Sequence, residues 1–372
     1  MQSIHPPMGR NAQRGFTLIE LMVGLLLSML TVLVITQVLT LAEGKSRTIS
    51  GGSEAQVNAS LALFTLQRDI QQAGYGATSN PEALGCPVRS GIAGLNFSLA
   101  PVVIADGGNG TQTITILQGN TANSSAPMPL TATVKTTPPQ FPVYSSLGVR
   151  AGDLVVAVPP LNYWDGNPAP ELWCTLFSVA ATPANPLMLT SVPFDLQNTW
   201  NQNLPLPTSA QYTGDGSATS SYLLNLGAMV LRVYSVSAED NLQMNELLST
   251  GAWSGAQDLY PQIVSLQARY GKDMNGDGII DTYDLATPTT NAGWKQVLAV
   301  RIAVVGRSTQ YEKDEVTLAA PTWQIGNQTF TLSVAHVPDW QHYRYKIYDT
   351  IVPLRNMLWN DGSAAASAPA AP

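Results

Sequence analysis

An apolar run near the N-terminus constrains this chain more than any other feature. Residues 16–42 include sixteen Leu, Ile, Val or Phe among 27 residues, and Glu20 is the single charged residue in the run. As an α-helix the run would span about 40 Å, more than the hydrocarbon core of a bilayer. Its side chains favour insertion by about 5–10 kcal/mol, against about 3 kcal/mol for a central carboxylate. It is about twice as long as the apolar region of a secretory signal peptide, so we expect a membrane anchor.

The charges that flank this run predict its orientation. Arg10 and Arg14 precede it, and the first 15 residues contain no acid. Basic residues stay on the cytoplasmic side, so we expect a single-pass protein with its short N-terminus in the cytoplasm and the bulk of the chain outside. An ionisable residue in a membrane helix is usually functional and has a partner, which makes Glu20 a candidate site residue. The alternative is that its carboxylate reaches the lipid headgroups.

A seven-residue string opens the apolar run. It reads GFTLIEL at residues 15–21, behind a short basic leader, and resembles the class III signal of type IV pilins and type II secretion pseudopilins. The resemblance implies that prepilin peptidase cuts after Gly15, that the new α-amine of Phe16 is methylated, and that Glu20 pairs with the N-terminal amine of a neighbouring subunit. In a bundle of low dielectric constant each charge offsets the desolvation of the other, so this pair would also fix the axial register.

Three further strings narrow the resemblance. LQRDIQQAGY at residues 66–75 and QARYG at residues 267–271 resemble PilW-like minor pilins, and DTIVPLRN at residues 349–356 resembles their C-terminal strand, which J-type pseudopilins share. The resemblance implies a bacterial minor pilin that moves from the inner membrane to the pilus, primes type IV pilus assembly and stays near the tip. Its implied partners are other minor pilins and the major pilin, with a tip adhesin as a further candidate. A J-like pseudopilin of type II secretion and a membrane-tethered surface adhesin are the alternatives.

The sequence predicts an α+β fold in which a long stem helix precedes a β-rich domain with antiparallel sheet. The expected segments are a cleaved cytoplasmic leader (1–15), a transmembrane and stem helix (16–75), a β-rich periplasmic or extracellular domain (76–360) and a disordered Ala/Pro-rich tail (361–372). Two adjacent glycines at residues 51–52 predict a hinge in the stem, because glycine weakens a helix by about 1 kcal/mol relative to alanine.

Short apolar and alternating patterns predict several strands of the β-rich domain. They cover residues 154–158, 229–236, 297–305 and 343–352. Phe330, Leu332, Val334 and His336 are spaced two residues apart, which predicts a strand with these four side chains on one face. A histidine on such an apolar face is usually a core residue.

Composition and motifs exclude several classes of protein. Eighteen Lys and Arg against 25 Asp and Glu give a net charge of −7, which argues against a nucleic-acid-binding surface. The chain has three histidines and carries no serine-hydrolase, Walker or zinc-protease motif. We therefore expect a binding protein and no enzyme.

One acidic stretch, DMNGDGIIDTYD at residues 273–284, fits the calcium-loop pattern. The expected ligands are the side chains of Asp273, Asn275, Asp277, Asp281 and Asp284 and the backbone carbonyl of Ile279. Calcium takes six to eight oxygen ligands, and a crowd of carboxylates needs a cation to relieve its repulsion, so we predict a structural calcium ion. The loop departs from the pattern in having Asp at position 12 and no evident flanking helices. A solvated hairpin turn is the alternative, because turns favour the same residues.

Cys86 and Cys174 are the two cysteines of the chain. Outside the cytoplasm we expect them to form a disulfide, which would stabilise the fold by about 4–5 kcal/mol in the chain-entropy model. Two separate buried thiols are the alternative.

Overall fold

The computed structural model describes residues 17–121, 126–160, 173–180, 190–204, 212–215 and 220–358. A long N-terminal helix precedes a strand-rich region of antiparallel sheets, which confirms the predicted α+β fold. The chain divides into two compact units, one up to Gly51 and one from Gly52 onward. The expected leader and the expected Ala/Pro-rich tail both lie outside the described residues.

The stem is one long helix, α1, which covers Leu18–Gln72. It is helical through residues 51–52, so the predicted hinge is not a break in the helix. The helix ends before Gly74 and Gly76, whose φ angles are +81° and +77°. Glycine adopts this left-handed conformation without a steric penalty, so the pair terminates the stem. Two short helices follow much later, α2 (Asn291–Lys295) and α3 (Arg355–Leu358).

The remaining elements of the described residues are mainly strands. In chain order they are β1 (Pro87–Ser90), β2 (Asn96–Ser98), β3 (Val102–Gly108), β4 (Thr111–Gln118), β5 (Met128–Pro129), β6 (Lys135–Thr136), β7 (Pro139–Pro142), β8 (Leu154–Val158), β9 (Cys174–Ser178), β10 (Ser191–Pro193), β11 (Tyr222–Gly227), β12 (Val230–Val236), β13 (Asn241–Glu246), β14 (Gln257–Pro261), β15 (Ile263–Lys272), β16 (Thr282–Asp284), β17 (Val297–Arg307), β18 (Thr322–Ile325), β19 (Gln328–Thr331) and β20 (Tyr345–Pro353).

These strands form three larger sheets and two smaller ones. The larger sheets have the orders β2-β1-β9-β8-β11-β5, β14-β13-β12-β4-β3 and β16-β15-β17-β20. A sheet β10-β7-β6 and a hairpin β18-β19 complete the set. Among the named strands the pairs are antiparallel, except that β1 runs parallel to β9.

The four strands predicted from apolar patterns are confirmed as β8, β12, β17 and β20, with ends within two residues. The strand predicted over residues 330–336 is wrong beyond Thr331, where β19 ends. Leu332 and Val334 are buried in a local apolar cluster, but a turn follows, in which the Val337 N–H donates to the Val334 carbonyl. Leu332 and Val334 are therefore buried alternately with their neighbours, although no strand of the described residues pairs with this segment.

One hydrophobic core joins the last part of α1 to the sheets that contain β17 and β12. The helix contributes three alanines together with Leu66 and Ile70, all at helical spacing, and β17 contributes Val300, Ile302 and Val304. At Gly306 a Cβ atom would lie 3.0 Å from the Ala59 Cβ and 3.1 Å from a backbone oxygen of α1. Glycine and alanine therefore allow the stem to lie directly on β17, because neither carries a larger side chain at the contact.

Candidate functional site

The first candidate residue, Glu20, lies in the first turn of α1. Its carboxylate Oε2 accepts hydrogen bonds from the Thr17 backbone N–H and hydroxyl, both at 3.0 Å. In return the Glu20 N–H donates to the Thr17 hydroxyl at 3.3 Å. This reciprocal arrangement is a capping box, which satisfies N–H groups that the start of a helix leaves without partners. Gly15 and Phe16, the expected cleavage and methylation residues, lie outside the described residues.

Helix α1 carries a membrane-sized apolar segment that begins within this box. The 23 residues Leu18–Thr40 are long and apolar enough to span a bilayer, as the sequence predicts. Every side chain in this segment is exposed in the structure. Such a continuous apolar surface is stable only when lipid or other protein covers it.

The part of α1 beyond Gly52 has two apolar faces. One face is buried against the sheets by Ala55, Ala59, Ala62, Leu66, Ile70 and Ala73. The opposite face carries Val57, Leu61 and Phe64, which are 53%, 45% and 62% exposed. These three residues are spaced four and three positions apart, so they form one stripe on the outer surface of the helix. An exposed apolar stripe of this kind is a candidate interaction surface.

Asp69 fixes the stem to the β-rich domain, a role that the sequence analysis missed. It is 2% exposed, and its Oδ2 accepts hydrogen bonds from the Arg232 Nη1 at 2.8 Å and the Tyr234 hydroxyl at 2.6 Å. Arg232 also donates to Glu246 at 3.0 Å. A sequence signal existed, because Asp69 lies three residues after Leu66 and four before Ala73, on the apolar face of the helix. A charge at such a position needs a buried partner.

Replacing Asp69 with alanine should destabilise the protein by about 2–4 kcal/mol, because Arg232 and Tyr234 lose a shared buried acceptor. Urea unfolding of the full-length protein in detergent measures this loss. Glu246→Ala is the matched control: it removes the more exposed partner of the same arginine and should cost about 1 kcal/mol or less. Equal effects of the two variants would contradict a special role for Asp69.

The two cysteines form a disulfide, as expected, with an S–S distance of 2.07 Å and a Cα–Cα distance of 6.0 Å. Both residues are fully buried. Cys174 begins β9 and pairs in register with Val88 of β1, while Cys86 lies directly before β1. The bond therefore fastens the one parallel strand pair among the named strands, which local chain connections do not hold together.

The acidic loop connects β15 to β16 and is hydrogen-bonded within itself. Asp273 accepts from the backbone N–H groups of Asn275, Gly276 and Gly278 at 2.7–3.1 Å. Desolvation raises the pKa of the Asp273 carboxyl, but the hydrogen bonds outweigh this effect. The pKa therefore lies below its ordinary value. Asp277 accepts from the Ile279 N–H. Gly276 and Gly278 have positive φ angles, as a tight turn requires.

Two of the predicted calcium ligands have other partners in this structure. Asp281 accepts from the Met274 N–H at 2.8 Å, and Asp284 pairs with the Lys272 ammonium at 2.7 Å. Within the described residues no group of three or more His, Cys, Asp or Glu side chains is placed to hold a metal ion. Strands and not helices flank the loop. Lys272 bonds to Oδ1 of Asp284, so a calcium ion at this carboxylate would lie beside the ammonium.

Calcium binding stays a prediction for this loop. If it is right, adding excess chelator to the full-length protein should lower the melting temperature, and Asp277→Asn should remove the response. Asp258→Asn, a change of an exposed carboxylate on β14, is the control and should leave the response intact. A melting temperature that does not respond to chelator would favour the hairpin-turn alternative.

Comparison with known proteins gives two matches. Residues 10–36 match the prokaryotic N-terminal methylation motif, which covers the GFTLIEL string and most of the apolar segment. Residues 232–356, about a third of the chain, match Type IV Pilus-assembly protein W. This second match begins at Arg232 and includes the acidic loop and β20. Neither a curated protein nor a solved structure gives a significant match.

The first match implies membrane anchoring and processing by prepilin peptidase, and the second implies association with pilus components. The capping box, the exposed apolar segment of α1 and the strand-rich region that follows agree with both. Together the two matches support a type IV pilin-like minor pilin.

Proposed function

We propose that this minor pilin primes type IV pilus assembly and stays near the pilus tip. The observation that carries the proposal is the uncovered apolar surface of α1: the segment Leu18–Thr40, and further along the helix the stripe formed by Val57, Leu61 and Phe64. Apolar helix surfaces of this kind are stabilised by packing against other helices. The stems of other minor pilins and of the major pilin supply such helices. The work of the protein is binding, without a catalytic step.

Before assembly, the protein would span the inner membrane once, with its N-terminus in the cytoplasm. Arg10 and Arg14 on the N-terminal side support this orientation. Prepilin peptidase would cut after Gly15, and the amine of Phe16 would be methylated. The β-rich domain would then lie outside the membrane, where it can contact other minor pilins and a tip adhesin on its way to the cell surface.

Glu20 would connect each subunit to its neighbour. In the single chain its carboxylate bonds to Thr17 and carries a charge with no cation among the described residues. Cleavage creates a cation, the α-amine of Phe16, four residues before Glu20 in the sequence. A carboxylate and an ammonium in a low-dielectric bundle stabilise each other, and any other stagger would leave one of them unpaired.

Deletion of the gene tests the proposal. We expect the deletion to abolish surface pili and twitching motility, to leave enzyme secretion intact, and to be rescued by the wild-type gene but not by an uncleavable Gly15→Leu variant. Electron microscopy counts the pili, and a secretion assay is run on the same cultures. Normal piliation with lost secretion would overturn the proposal in favour of a J-like pseudopilin.

A further inference from the structure

The outer edge of β20 is an open strand edge. β20 is last in the four-stranded sheet, so β17 pairs with one of its edges, and no strand of the described residues pairs with the other. The β17–β20 register runs through nine consecutive residue pairs without a bulge, from Arg307–Tyr345 to Ala299–Pro353. β20 is thus a regular edge strand of nine residues, longer than most strands in the described residues.

Hydrogen bonds just beyond both ends of β20 show which of its backbone groups point outward. The Ser308 N–H donates to the Arg344 carbonyl at 2.8 Å, and the Leu354 N–H donates to the Leu298 carbonyl at 2.9 Å. In an antiparallel pair, residues that bond to the neighbour alternate with residues whose backbone groups point away. Even-numbered residues of β20 therefore bond to β17. The residues with outward backbone groups are Tyr345, Ile347, Asp349, Ile351 and Pro353.

Nine backbone groups, four N–H and five C=O, line this edge, since proline has no N–H. Native proteins usually protect such an edge with a bulge, a covering segment, a lysine or a proline, because it is a template for another strand. β20 carries Lys346 near one end and Pro353 at the other. The residues between them have no bulge, and no described segment pairs with their outer edge, so the middle of this edge can accept an added strand.

The side chains next to this edge indicate what the added strand must offer. On the face of the odd-numbered residues, Tyr345 and Ile347 pack against an apolar cluster and Ile351 is 45% exposed. The one acid of the strand, Asp349, is already engaged, at 2.6 Å with Arg301 and at 3.1 Å with the Trp323 indole N–H. An added strand would therefore place apolar side chains on this face.

The other face of the edge carries a positive charge that makes no ion pair within the described residues. Lys346 is exposed, and its Nζ lies 5.6 Å from the centre of the Tyr348 ring. Within the described residues neither Lys346 nor the exposed Arg355 just beyond the strand makes an ion pair. The free charge along the edge is therefore positive although the whole chain carries −7. This favours an acidic partner.

We propose that β20 docks an extended segment of a different polypeptide of the pilus assembly, which adds as a fifth strand to this sheet. The segment carries apolar side chains on one face and at least one acidic residue opposite Lys346 on the other. A second copy of β20 does not fit, because opposed residues share a face and its residues on the Lys346 face, Tyr348, Thr350 and Val352, include no acid. This proposal rests on the pilus function proposed above.

Site-specific photo-crosslinking tests the docking. A benzophenone amino acid replaces Ile351 in the full-length protein, in cells that make the complete pilus, and the adduct is mapped by mass spectrometry. Leu285, which is 43% exposed and follows β16 at the other edge of the same sheet, is the matched control position. We expect an adduct at Ile351, absent at Leu285, that maps to a segment of another polypeptide with alternating apolar residues and an acid.

A charge reversal in the same strain then tests the recognition. Lys346→Glu should reduce the Ile351 adduct at least about tenfold, since each 1.4 kcal/mol corresponds to a factor of ten. The melting temperature of the purified variant checks that it folds. An adduct with a second copy, an adduct that does not respond to Lys346→Glu, or no adduct would each overturn the proposal.

Backbone pairing is measured separately by hydrogen exchange. The outward amides of Ile347, Asp349 and Ile351 should exchange fast in the isolated full-length protein and at least about tenfold more slowly in purified pili, because strand addition protects them. Unchanged exchange in pili that contain the protein would overturn strand addition and leave the minor pilin function standing. Absence of the protein from pili would instead contradict the proposed function.

Discussion

A Glu20→Ala variant should be inserted into the membrane and cleaved normally, yet fail to enter pili. The carboxylate is the single charge in the apolar segment, so its removal makes insertion easier. Assembly, however, would leave the N-terminal ammonium of a neighbouring subunit buried without a partner. Breaking a buried ion pair in this way costs about 3–5 kcal/mol, which is a hundredfold or larger loss of incorporation. Immunoblots of purified pili and of membranes measure the two amounts.

A second variant separates charge pairing from helix capping, because Glu20 has both roles in this account. Glu20→Gln keeps an acceptor for the Thr17 N–H and hydroxyl, and glutamine serves in capping boxes as well as glutamate does, but it has no charge. We expect it to be as defective as Glu20→Ala. The opposite control is Thr17→Val, which removes the hydroxyl but leaves the charge, and should cost about 1 kcal/mol of helix capping.

These outcomes bear directly on the identification. If Glu20→Gln assembled like the wild type, helix capping and not charge pairing would explain why the residue is needed. If even Glu20→Ala were incorporated normally, the assembly role of the carboxylate would be wrong, and with it the main physical argument for a pilin-like subunit.

Among the changes discussed, removal of the disulfide should lower the free energy of unfolding the most. The bond joins residues 88 positions apart, and in the chain-entropy model closing a loop of that length contributes about 4–5 kcal/mol. The double variant Cys86→Ala, Cys174→Ala should therefore unfold at a clearly lower urea concentration. Both side chains are fully buried, so alanine also leaves a small cavity, which adds to the loss.

Reduction provides the internal control for this prediction. No free cysteine is present among the described residues, and the two bonded ones are the only cysteines of the chain. Dithiothreitol should therefore destabilise the wild type by a similar amount and leave the double variant unchanged. A difference below about 1 kcal/mol between oxidised and reduced protein would show that the sheet around β1 and β9 is held by packing alone.

Local sequence patterns were sufficient for much of the fold. The stem, four strands and the class of fold follow from periodicity, because a strand or helix with one buried face must repeat its apolar residues every two or 3.6 positions. The alternation at residues 330–336 misled for the same reason. Burial of Leu332 and Val334 produces the pattern of a strand, but a strand also needs a neighbour for its hydrogen bonds, and that is not encoded locally.

The same distinction between local pattern and distant partner applies to the candidate residues. In the acidic loop, sequence spacing predicts six oxygen donors for calcium, and this stays a prediction. The folded chain adds that Asp273 accepts hydrogen bonds from backbone N–H groups and that Asp284 bonds to Lys272 of the paired strand. Asp69 shows the converse. Its charge on an apolar helix face was visible in the sequence, but its partners Arg232 and Tyr234 are more than 160 residues away.

The sequence by itself determined the membrane-sized helix, the prepilin signal and the fold class, since each of these depends on patterns among residues within a few positions. Only the tertiary structure decided which face of the stem stays uncovered, how Asp69 fixes the stem to the sheets, and that β20 ends a sheet with one edge open. These features depend on contacts between distant segments, and the free energy of such contacts appears only when the segments are brought together.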